Sequence, residues 1–126
     1  MDCLAADAIE ARDSGIHGRG VYARGPIAAG DVVTEYTGEL IGVEEAVRRE
    51  MSRQEREARG EEHCDYFYIM SDYLVIDGRD EGNVARLINH SCEPNCRSDV
   101  VNDRAWIIAQ EAIPVGAELT FDDGYT

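Results

Sequence analysis

The feature that most constrains this chain is the run of residues 86–96, which reads RLINHSCEPNC. It brings an amide, an imidazole, a hydroxyl and two thiols into one short segment closed by a rigid Pro-Asn turn, an unusual inventory for a connecting loop. Leu87 and Ile88 are apolar and are expected to be buried, so Asn89 and His90 must find hydrogen-bond partners in a partly desolvated place. Such an arrangement is typical of a ligand pocket, although a satisfied core Asn and His at a turn is the alternative.

The same run resembles the sequence hallmark of the SET domain family of S-adenosylmethionine-dependent protein lysine methyltransferases, RFINHSCxPN, with Leu87 where Phe is usual. Four motifs resemble that family in the right order, from about Ser14 to the final residue. The resemblance implies a mostly β (α+β) fold of the β-clip type, with short curved sheets, a surface helix and a knot-like C-terminal crossing. It also implies S-adenosylmethionine as the cofactor and a lysine of a basic, histone-like protein as the methyl acceptor.

Length and charge narrow the classes of partner. The 126 residues predict one domain, 1–126, and acidic residues outnumber basic ones by 26 to 12, for a net charge of −14. All the basic residues are arginines, and the chain contains no lysine. This balance argues against direct nucleic-acid binding and favours a cationic peptide partner; solubility alone, or adaptation to high salt, is the alternative explanation.

Cysteine content and hydropathy predict the cellular compartment of the protein. The four cysteines do not form a dense secreted framework, no signal segment opens the chain, and no apolar run approaches the roughly 18 residues of a membrane span. We therefore expect an intracellular protein without membrane association, nuclear if eukaryotic and cytoplasmic if prokaryotic.

The cysteine spacing also bears on metal binding. In many SET proteins a cysteine-rich tail binds zinc together with the cysteine at the Cys92 position, and no such tail follows the last motif here. Cys92 and Cys96, even when His63, Cys64 and His90 are considered with them, lack the paired close spacings of a structural zinc site, so we predict no metal. Small SET proteins without the tail include dimers, so a homodimer whose partner protomer completes the peptide groove is one expected arrangement.

Residues 14–23 form a glycine-punctuated loop that enters a predicted strand. Gly18 and Gly20 flank one residue, a spacing that allows a tight turn and close approach of main chain to a ligand. A plain hairpin turn is the alternative, and a dinucleotide-binding loop is excluded because no helix follows. The run resembles the first SET motif, whose backbone groups hold S-adenosylmethionine.

The pattern of residues 32–77 predicts strands around one helix. Residues 32–41 alternate as a half-buried strand broken at Gly38, and residues 63–70 and 73–77 predict two paired strands. Between them, the helical insert 43–60 carries apolar residues on one face and ends at Gly60. The insert resembles the variable wall of the SET peptide groove, and a solvated helix without substrate contact is the alternative. A further strand is predicted at residues 104–109.

The resemblance assigns roles to individual residues. Cofactor binding is assigned to His17, Gly18, Arg19, Gly20, Tyr66, Arg86, Asn89 and His90. The lysine channel is assigned to Tyr36, Tyr66, Phe121 and Tyr125, and the catalytic positions to Tyr125, Tyr36 and Asp123. A structural tyrosine on a strand would look the same as Tyr36 in sequence. Phe at position 121, rather than Tyr, leaves room that favours more than one methyl group per lysine.

Asp123 departs from the family pattern. The last motif, ELTFDDG, has Asp where the family carries its catalytic tyrosine. Methyl transfer is an in-line displacement for which a protein supplies alignment and a low-dielectric channel, and a carboxylate there favours the charged, unreactive ammonium form of lysine. Tyr125, two residues on, is the predicted substitute. The alternative function is an inactive SET-fold module that binds a basic peptide or the cofactor without turnover.

Overall fold

Short strands in small sheets dominate the chain. The computed structural model describes residues 3–16, 18–60 and 66–122. The elements in these residues are β1 (Ile9–Asp13), β2 (Arg19–Ala23), β3 (Val32–Tyr36), β4 (Glu39–Gly42), α1 (Val43–Ala58), β5 (Phe67–Ile69), β6 (Leu74–Asp77), α2 (Gly78–Glu81), β7 (Asn89–His90), β8 (Cys96–Val101), β9 (Arg104–Ala109) and β10 (Thr120–Phe121), with 3-10 turns at Ala6–Ala8 and Val84–Leu87. The mostly β fold with one long surface helix is thereby confirmed.

Four sheets are formed by the described strands. β1 pairs with β2, β9 lies between β3 and β8, and β6 lies between β4 and β5, all antiparallel. The fourth sheet is a short parallel pair, β7 with β10, in which Thr120 is opposite Asn89 and Phe121 is opposite His90. Residues 123–126 lie outside the described part, so the knot-like crossing stays a prediction.

The predicted strand break and strand pair are confirmed. Residues 32–41 divide into β3 and β4, and a Cβ atom at Gly38 would collide with the carbonyl oxygen of Asp77, so this turn needs glycine. β5 and β6 form the predicted antiparallel pair, although the described part of the first strand begins only at Phe67. Residues 61–65 lie outside the described residues.

Four strands, β1, β7, β8 and β10, were not predicted from the sequence, and β7 and β10 are only two residues long. β8 and β9 form a hairpin whose two turn residues, Asn102 and Asp103, have φ of 53° and 60°. Positive φ at both central positions gives a type I′ turn, which matches the twist of the strands it joins. The Asn-Asp pair is the sequence signal that could have placed this hairpin. β1 has only Ile9 buried, so its pattern gives almost no signal.

Helix α1, Val43–Ala58, lies within the predicted insert 43–60, but most of its apolar stripe does not pack against the sheet. Of the apolar residues on that stripe only Ala46 is buried; Val47 and Met51 are 54% and 59% exposed. Arg53 is buried instead, with its guanidinium 4.9 Å from the centre of the Phe67 ring. The helix therefore packs on the β4–β6–β5 sheet through Ala46 and the buried Arg53, whose guanidinium lies 3.0 Å from the buried carboxylate of Asp77.

The main core lies between the sheets and reaches the hallmark run. Val21, Ile107, Ile113 and Leu119 are completely or almost completely buried, and Ile88 belongs to the same cluster, as predicted. β7 and β10 therefore lie against this core, and Asn89 and His90 are half-buried at its edge.

Candidate functional site

The centre of the candidate site is a hydrogen-bond network around Glu118. Asn89 Nδ2 donates to Glu118 Oε2 at 2.9 Å, to Ser14 Oγ at 3.0 Å and to the carbonyl of Arg19 at 3.3 Å. The Ser14 hydroxyl lies 2.9 and 2.8 Å from the two Glu118 oxygens, and the Tyr22 hydroxyl lies 3.1 Å from Oε1. One carboxylate therefore joins the hallmark run, the glycine loop and the last motif through neutral donors.

The glycine loop is shaped by this network. Gly18 has φ of 50°, and a Cβ built there would meet nothing within 4 Å, so the main chain at this position borders open space. The Gly18 carbonyl accepts a hydrogen bond from the Ser14 amide at 2.8 Å. At Gly20 a Cβ would collide with the Glu118 carboxylate, so glycine is required for Glu118 to lie over the strand. His17 is outside the described residues.

Asn95 holds the last motif beside the hallmark. Its Nδ2 donates to the carbonyl of Glu118 at 2.9 Å, and its Oδ1 accepts from the amide of Thr120 at 2.9 Å. The side-chain amide thus substitutes for a neighbouring strand, which fixes the register of β10 against β7. Asn95, near the end of the hallmark run, therefore has a structural role: its two hydrogen bonds hold the last motif beside the hallmark.

A second group of predicted residues surrounds the carbonyl oxygen of Tyr66. It accepts hydrogen bonds from the Tyr36 hydroxyl at 2.7 Å and from the Gly78 amide at 2.9 Å. The Tyr36 side chain is buried, with 4% of its surface exposed. The Arg86 guanidinium lies 5.4 Å from the centre of the Tyr66 ring and donates to the Gly82 carbonyl at 3.1 Å. Tyr36, Tyr66 and Arg86 are thereby brought together.

The side chain of Arg86 contains one buried donor, Nε, that has no hydrogen-bond acceptor within the described part of the chain. Its Nε is buried and has no partner there, whereas Nη1 is bonded to Gly82. A buried N–H without an acceptor is destabilising by about 1–3 kcal/mol, and such groups in native proteins are usually satisfied by a ligand or by water. A polar ligand bound beside Tyr66 would supply the acceptor that Arg86 Nε lacks in the described residues.

His90 occupies the other end of the β7–β10 pair. Its Nε2 lies 3.7 Å from the Cys92 sulfur and its Nδ1 lies 3.7 Å from Asp122 Oδ1. Phe121, opposite His90 in the sheet, is buried and belongs to the same core cluster as Tyr36. Asp123 and Tyr125 lie outside the described residues, so their predicted roles cannot be compared with a position.

A buried ion cluster fixes the segment that leads into the hallmark. Asp77 Oδ2 lies 2.9 Å from Arg49 Nη1 and 3.0 Å from Arg53 Nη2, and Oδ1 accepts from the Arg79 amide at the start of α2. Burial alone would raise the pKa of Asp77, but these three hydrogen bonds outweigh it and lower the pKa. The hydrogen bonds that Arg49 donates to the carboxylates of Glu39, Glu45 and Asp77 raise the pKa of Arg49 further above its usual range.

Asn83 ties this segment to β3. Its Nδ2 donates to the Glu35 carbonyl at 2.9 Å, and its Oδ1 accepts from the Ala85 amide at 3.2 Å. The side chain therefore caps the turn Val84–Leu87 and holds it against the strand that carries Tyr36.

The structure thus brings together Arg19, Gly20 and Asn89 in one group, Tyr36, Tyr66 and Arg86 in a second, and His90 and Phe121 in a third. Sequence reasoning missed four residues that position these groups, namely Ser14, Asn83, Asn95 and Glu118. Ser14, Asn95 and Glu118 lie inside motifs, but their pairing partners are distant along the chain: 104 positions separate Ser14 from Glu118.

The described residues contain no group of three His, Cys, Asp or Glu side chains placed to hold a metal ion. Cys96 is buried, and burial raises the pKa of its thiol to about 12, whereas Cys3 and Cys92 are exposed. Within the same part of the chain, no helix is both long and apolar enough to cross a membrane.

Comparison with known proteins gives one consistent result. The profile of the SET domain matches residues 18–123. Histone-lysine N-methyltransferase trithorax of Drosophila virilis is 45% identical over 113 residues, covering 86% of this chain and 3% of the relative. The H3 lysine-4 specific histone-lysine N-methyltransferase of Mycosarcoma maydis is 40% identical over 113 residues (86% and 7%), and histone H3-lysine(4) N-trimethyltransferase ATX1 of Arabidopsis thaliana is 41% identical over 114 residues (86% and 10%). The chain spans a tenth or less of these relatives.

Proposed function

Because the chain belongs to the SET domain family, we propose that it is a protein-lysine N-methyltransferase that uses S-adenosylmethionine and acts on a basic protein such as a histone. The observation that carries the proposal is the match over residues 18–123, together with 40–45% identity to proteins named histone-lysine methyltransferases. We further propose that residues 1–126 act as a single SET domain with residues 43–60 as the substrate-side insert.

The residues assigned to the cofactor fit a small polar molecule. At Gly18 the main chain borders open space, and Asn89 holds the Arg19 carbonyl next to it. Arg86 contributes a buried Nε that lacks an acceptor in the described residues, beside the ring of Tyr66. Together these groups offer backbone polar atoms, an amide and an unsatisfied cationic donor, which suits a ligand with a carboxylate and an aromatic base. We assign the remaining cofactor contacts to His17, Gly20 and His90.

The chemistry that bound S-adenosylmethionine supplies is an electrophilic methyl group on a sulfonium. The chain's own contribution is to align the lysine amine, to exclude water and to keep the amine unprotonated. Tyr36 suits this role because its hydroxyl is held by the Tyr66 carbonyl, leaving a buried, uncharged ring. Phe121, also buried, adds an apolar wall without a hydroxyl, and Tyr125 is assigned to the same channel. Because Phe at position 121 lacks the hydroxyl of a tyrosine, we propose that the channel favours transfer of more than one methyl group.

The charge of the chain supports a cationic substrate. A net charge of −14 steers lysine-rich and arginine-rich segments toward the protein and repels nucleic-acid phosphates, so we propose no direct nucleic-acid contact. We propose that the protein acts inside the cell, in the nucleus of a eukaryote or the cytoplasm of a prokaryote. A homodimer in which the partner protomer completes the peptide groove remains part of the proposal.

Asp123 favours one second candidate, an inactive SET-fold module that binds a basic peptide or the cofactor without turnover. A titration with S-adenosylmethionine followed by calorimetry, paired with a radiolabelled methyl transfer assay on core histones, separates the two. The proposed function predicts saturable binding and labelled histone in the same preparation. Binding without label would favour the inactive module, and absence of both would contradict the assigned cofactor site.

A further inference from the structure

Two tyrosines form hydrogen bonds in opposite directions between two sheets. Tyr36, the last residue of β3, donates from its hydroxyl to the Tyr66 carbonyl, just before β5, at 2.7 Å. Tyr68, in the middle of β5, donates from its hydroxyl to Ser98 Oγ of β8 at 2.8 Å. Because β3 and β8 lie in one sheet and β5 lies in another, each sheet presents a tyrosine hydroxyl to the other.

The rings of Tyr36 and Tyr68 also pack against each other. Their centres are 5.4 Å apart, and their planes are inclined by 36°. Aromatic pairs attract at centre distances of about 4.5–7 Å when the rings are offset or inclined. Tyr36 is buried in the main core, and Tyr68 is half-buried against the same core. A change in the orientation of the Tyr68 ring therefore changes the space that is open to the Tyr36 ring.

The hydroxyl end of Tyr36 is held as well. A Cβ atom built at Gly78 would lie 3.3 Å from both Cε1 and Oη of Tyr36, so the main chain of Gly78 borders this end of the ring. The Gly78 amide donates to the same Tyr66 carbonyl that accepts the Tyr36 hydroxyl. With this end fixed, the remaining freedom of the Tyr36 ring is tilt, which the Tyr68 ring limits.

The hydrogen bond to Ser98 anchors the far end of Tyr68. β5 is three residues long, and it pairs with β6. Two χ1 rotamers are common for side chains in strands, so a short strand by itself leaves a choice of directions for the ring. The Ser98 hydroxyl selects the rotamer that places the Tyr68 ring against Tyr36.

We infer that Tyr68 and Ser98 are positioning residues for Tyr36: their hydrogen bond keeps the Tyr68 ring where it fixes the tilt of the Tyr36 ring. Neither residue is among those assigned to the site from the sequence. The consequence for catalysis rests on the proposed function, in which Tyr36 lines the lysine channel. A tilted Tyr36 ring would misalign the lysine amine and slow transfer, because an in-line displacement depends on the alignment of the reacting atoms.

The first measurement needs no cofactor. Tyrosines of the full chain are labelled with ¹³C at the ring ε carbons, and the NMR signal of Tyr36 is identified by its loss in Tyr36→Phe. Ser98→Ala removes the acceptor of Tyr68 and should shift the Tyr36 signal, whereas Ser98→Thr, which keeps a hydroxyl, should leave it in place. Tyr73→Phe, which removes an exposed hydroxyl between β5 and β6, is the control. A Tyr36 signal that Ser98→Ala leaves unchanged would overturn the inference.

The second measurement is methyl transfer to a basic peptide with a single lysine, with each rate divided by the concentration of sites that bind S-adenosylmethionine in calorimetry. We expect Tyr68→Phe and Ser98→Ala each to lower kcat about ten-fold, with the peptide KM and the cofactor affinity within about two-fold of the parent. Ser98→Thr should retain the parent kcat. The double variant should be no slower than either single variant, because both changes remove the same bond.

A purely structural role for the bond would lower the number of active sites and leave kcat per site unchanged. That result, or losses that add in the double variant, would overturn the inference. A parent chain that binds the cofactor and transfers no methyl group would contradict the proposed function instead, and the ¹³C comparison would then decide the positioning of Tyr36 by itself.

Discussion

Asn89 and Glu118 are 29 positions apart in the chain, yet Asn89 Nδ2 lies 2.9 Å from Glu118 Oε2. This hydrogen bond links the hallmark run to the last motif through the Glu118 carboxylate, which also accepts a hydrogen bond from the Ser14 hydroxyl. The predicted cofactor segment is therefore positioned by a residue outside it.

Glu118→Ala should reduce stability, because it removes the acceptor from the partly buried Asn89, Ser14 and Tyr22 side chains. We expect a loss of about 1–3 kcal/mol in the free energy of unfolding. Urea denaturation measures it, with the exposed Glu111→Ala as the matched control. Equal stability of the two variants would show that the network adds nothing to the fold.

Gly20→Ala tests the close approach of the same carboxylate. The added Cβ collides with Glu118, whereas a Cβ at Gly15 meets nothing within 4 Å. We expect Gly20→Ala to lose about 1–3 kcal/mol and Gly15→Ala to stay near the parent. In the double variant with Glu118→Ala the added loss should shrink, since the colliding group is gone. Additive losses would contradict the collision.

Asn89→Ala should weaken binding of S-adenosylmethionine about ten-fold or more, because it removes a polar partner from the assigned site. Asn95→Ala is the matched control: it loses bonds to Glu118 and Thr120 in the same sheet but is assigned no cofactor contact. Calorimetric affinities of the folded variants make the comparison. Equal weakening in both would indicate that the sheet, rather than the Asn89 side chain, determines affinity.

Asp77 should make stability fall in acid. Its pKa lies below the ordinary 3.8, because hydrogen bonds from the Arg79 amide, Arg49 and Arg53 outweigh the opposing effect of burial. A lowered folded-state pKa means that the unfolded chain binds the proton first as pH falls. The stabilisation is therefore complete above the unfolded-state value and is lost as pH falls through the folded-state pKa.

Asp77→Asn removes that contribution and takes the Asp77 carboxylate away from the buried guanidinium of Arg53. At neutral pH we expect a loss of about 3 kcal/mol or more in the free energy of unfolding. The difference between parent and variant should narrow in acid, and the exposed Asp72→Asn should show neither effect. A difference that stays constant across the acid range would show that the charge of Asp77 is not the cause.

Much of the fold followed from sequence because its signals are local. Helix α1 was predicted from its periodicity and Gly60, which has φ of 88°, and the break at Gly38 from a glycine in an alternating strand. The packing face of the helix did not follow from its periodicity, because the ion cluster around Asp77 joins groups that are far apart in the chain. Periodicity counts apolar residues and cannot register a buried arginine.

The site was predicted only in part, because some of its residues are identified by local motifs and others only by partners that are distant along the chain. Motif resemblance selected Asn89 and Arg19, which the structure brings together, but not Ser14 or Glu118, which hold them. Hydroxyl and carboxylate side chains at strand ends have many local explanations, so only the three-dimensional pairing identifies their role. The sequence predicts only that Asn95 forms part of a turn. In the structure its side chain also holds the last motif through hydrogen bonds with Glu118 and Thr120.

Asp123→Tyr should raise the rate of methyl transfer, because it restores an uncharged wall on the lysine side of the reacting methyl group. Affinity for S-adenosylmethionine should change by no more than a few-fold. Tyr125→Phe should abolish transfer if that ring has taken over the role, whereas the exposed Tyr73→Phe should not alter it. An inert Asp123→Tyr together with an unchanged Tyr125→Phe would remove both residues from the proposed mechanism.

The most direct measurement is methyl transfer to a basic peptide with a single lysine, beside the same peptide with arginine in its place. The chain contains no lysine, so any methyl-lysine in the reaction comes from the substrate. At saturating S-adenosylmethionine we predict mono- and higher methyl-lysine by mass spectrometry in the first peptide and no methylation of the second. Saturable cofactor binding with no methyl-lysine, or equal labelling of both peptides, would contradict a lysine methyltransferase.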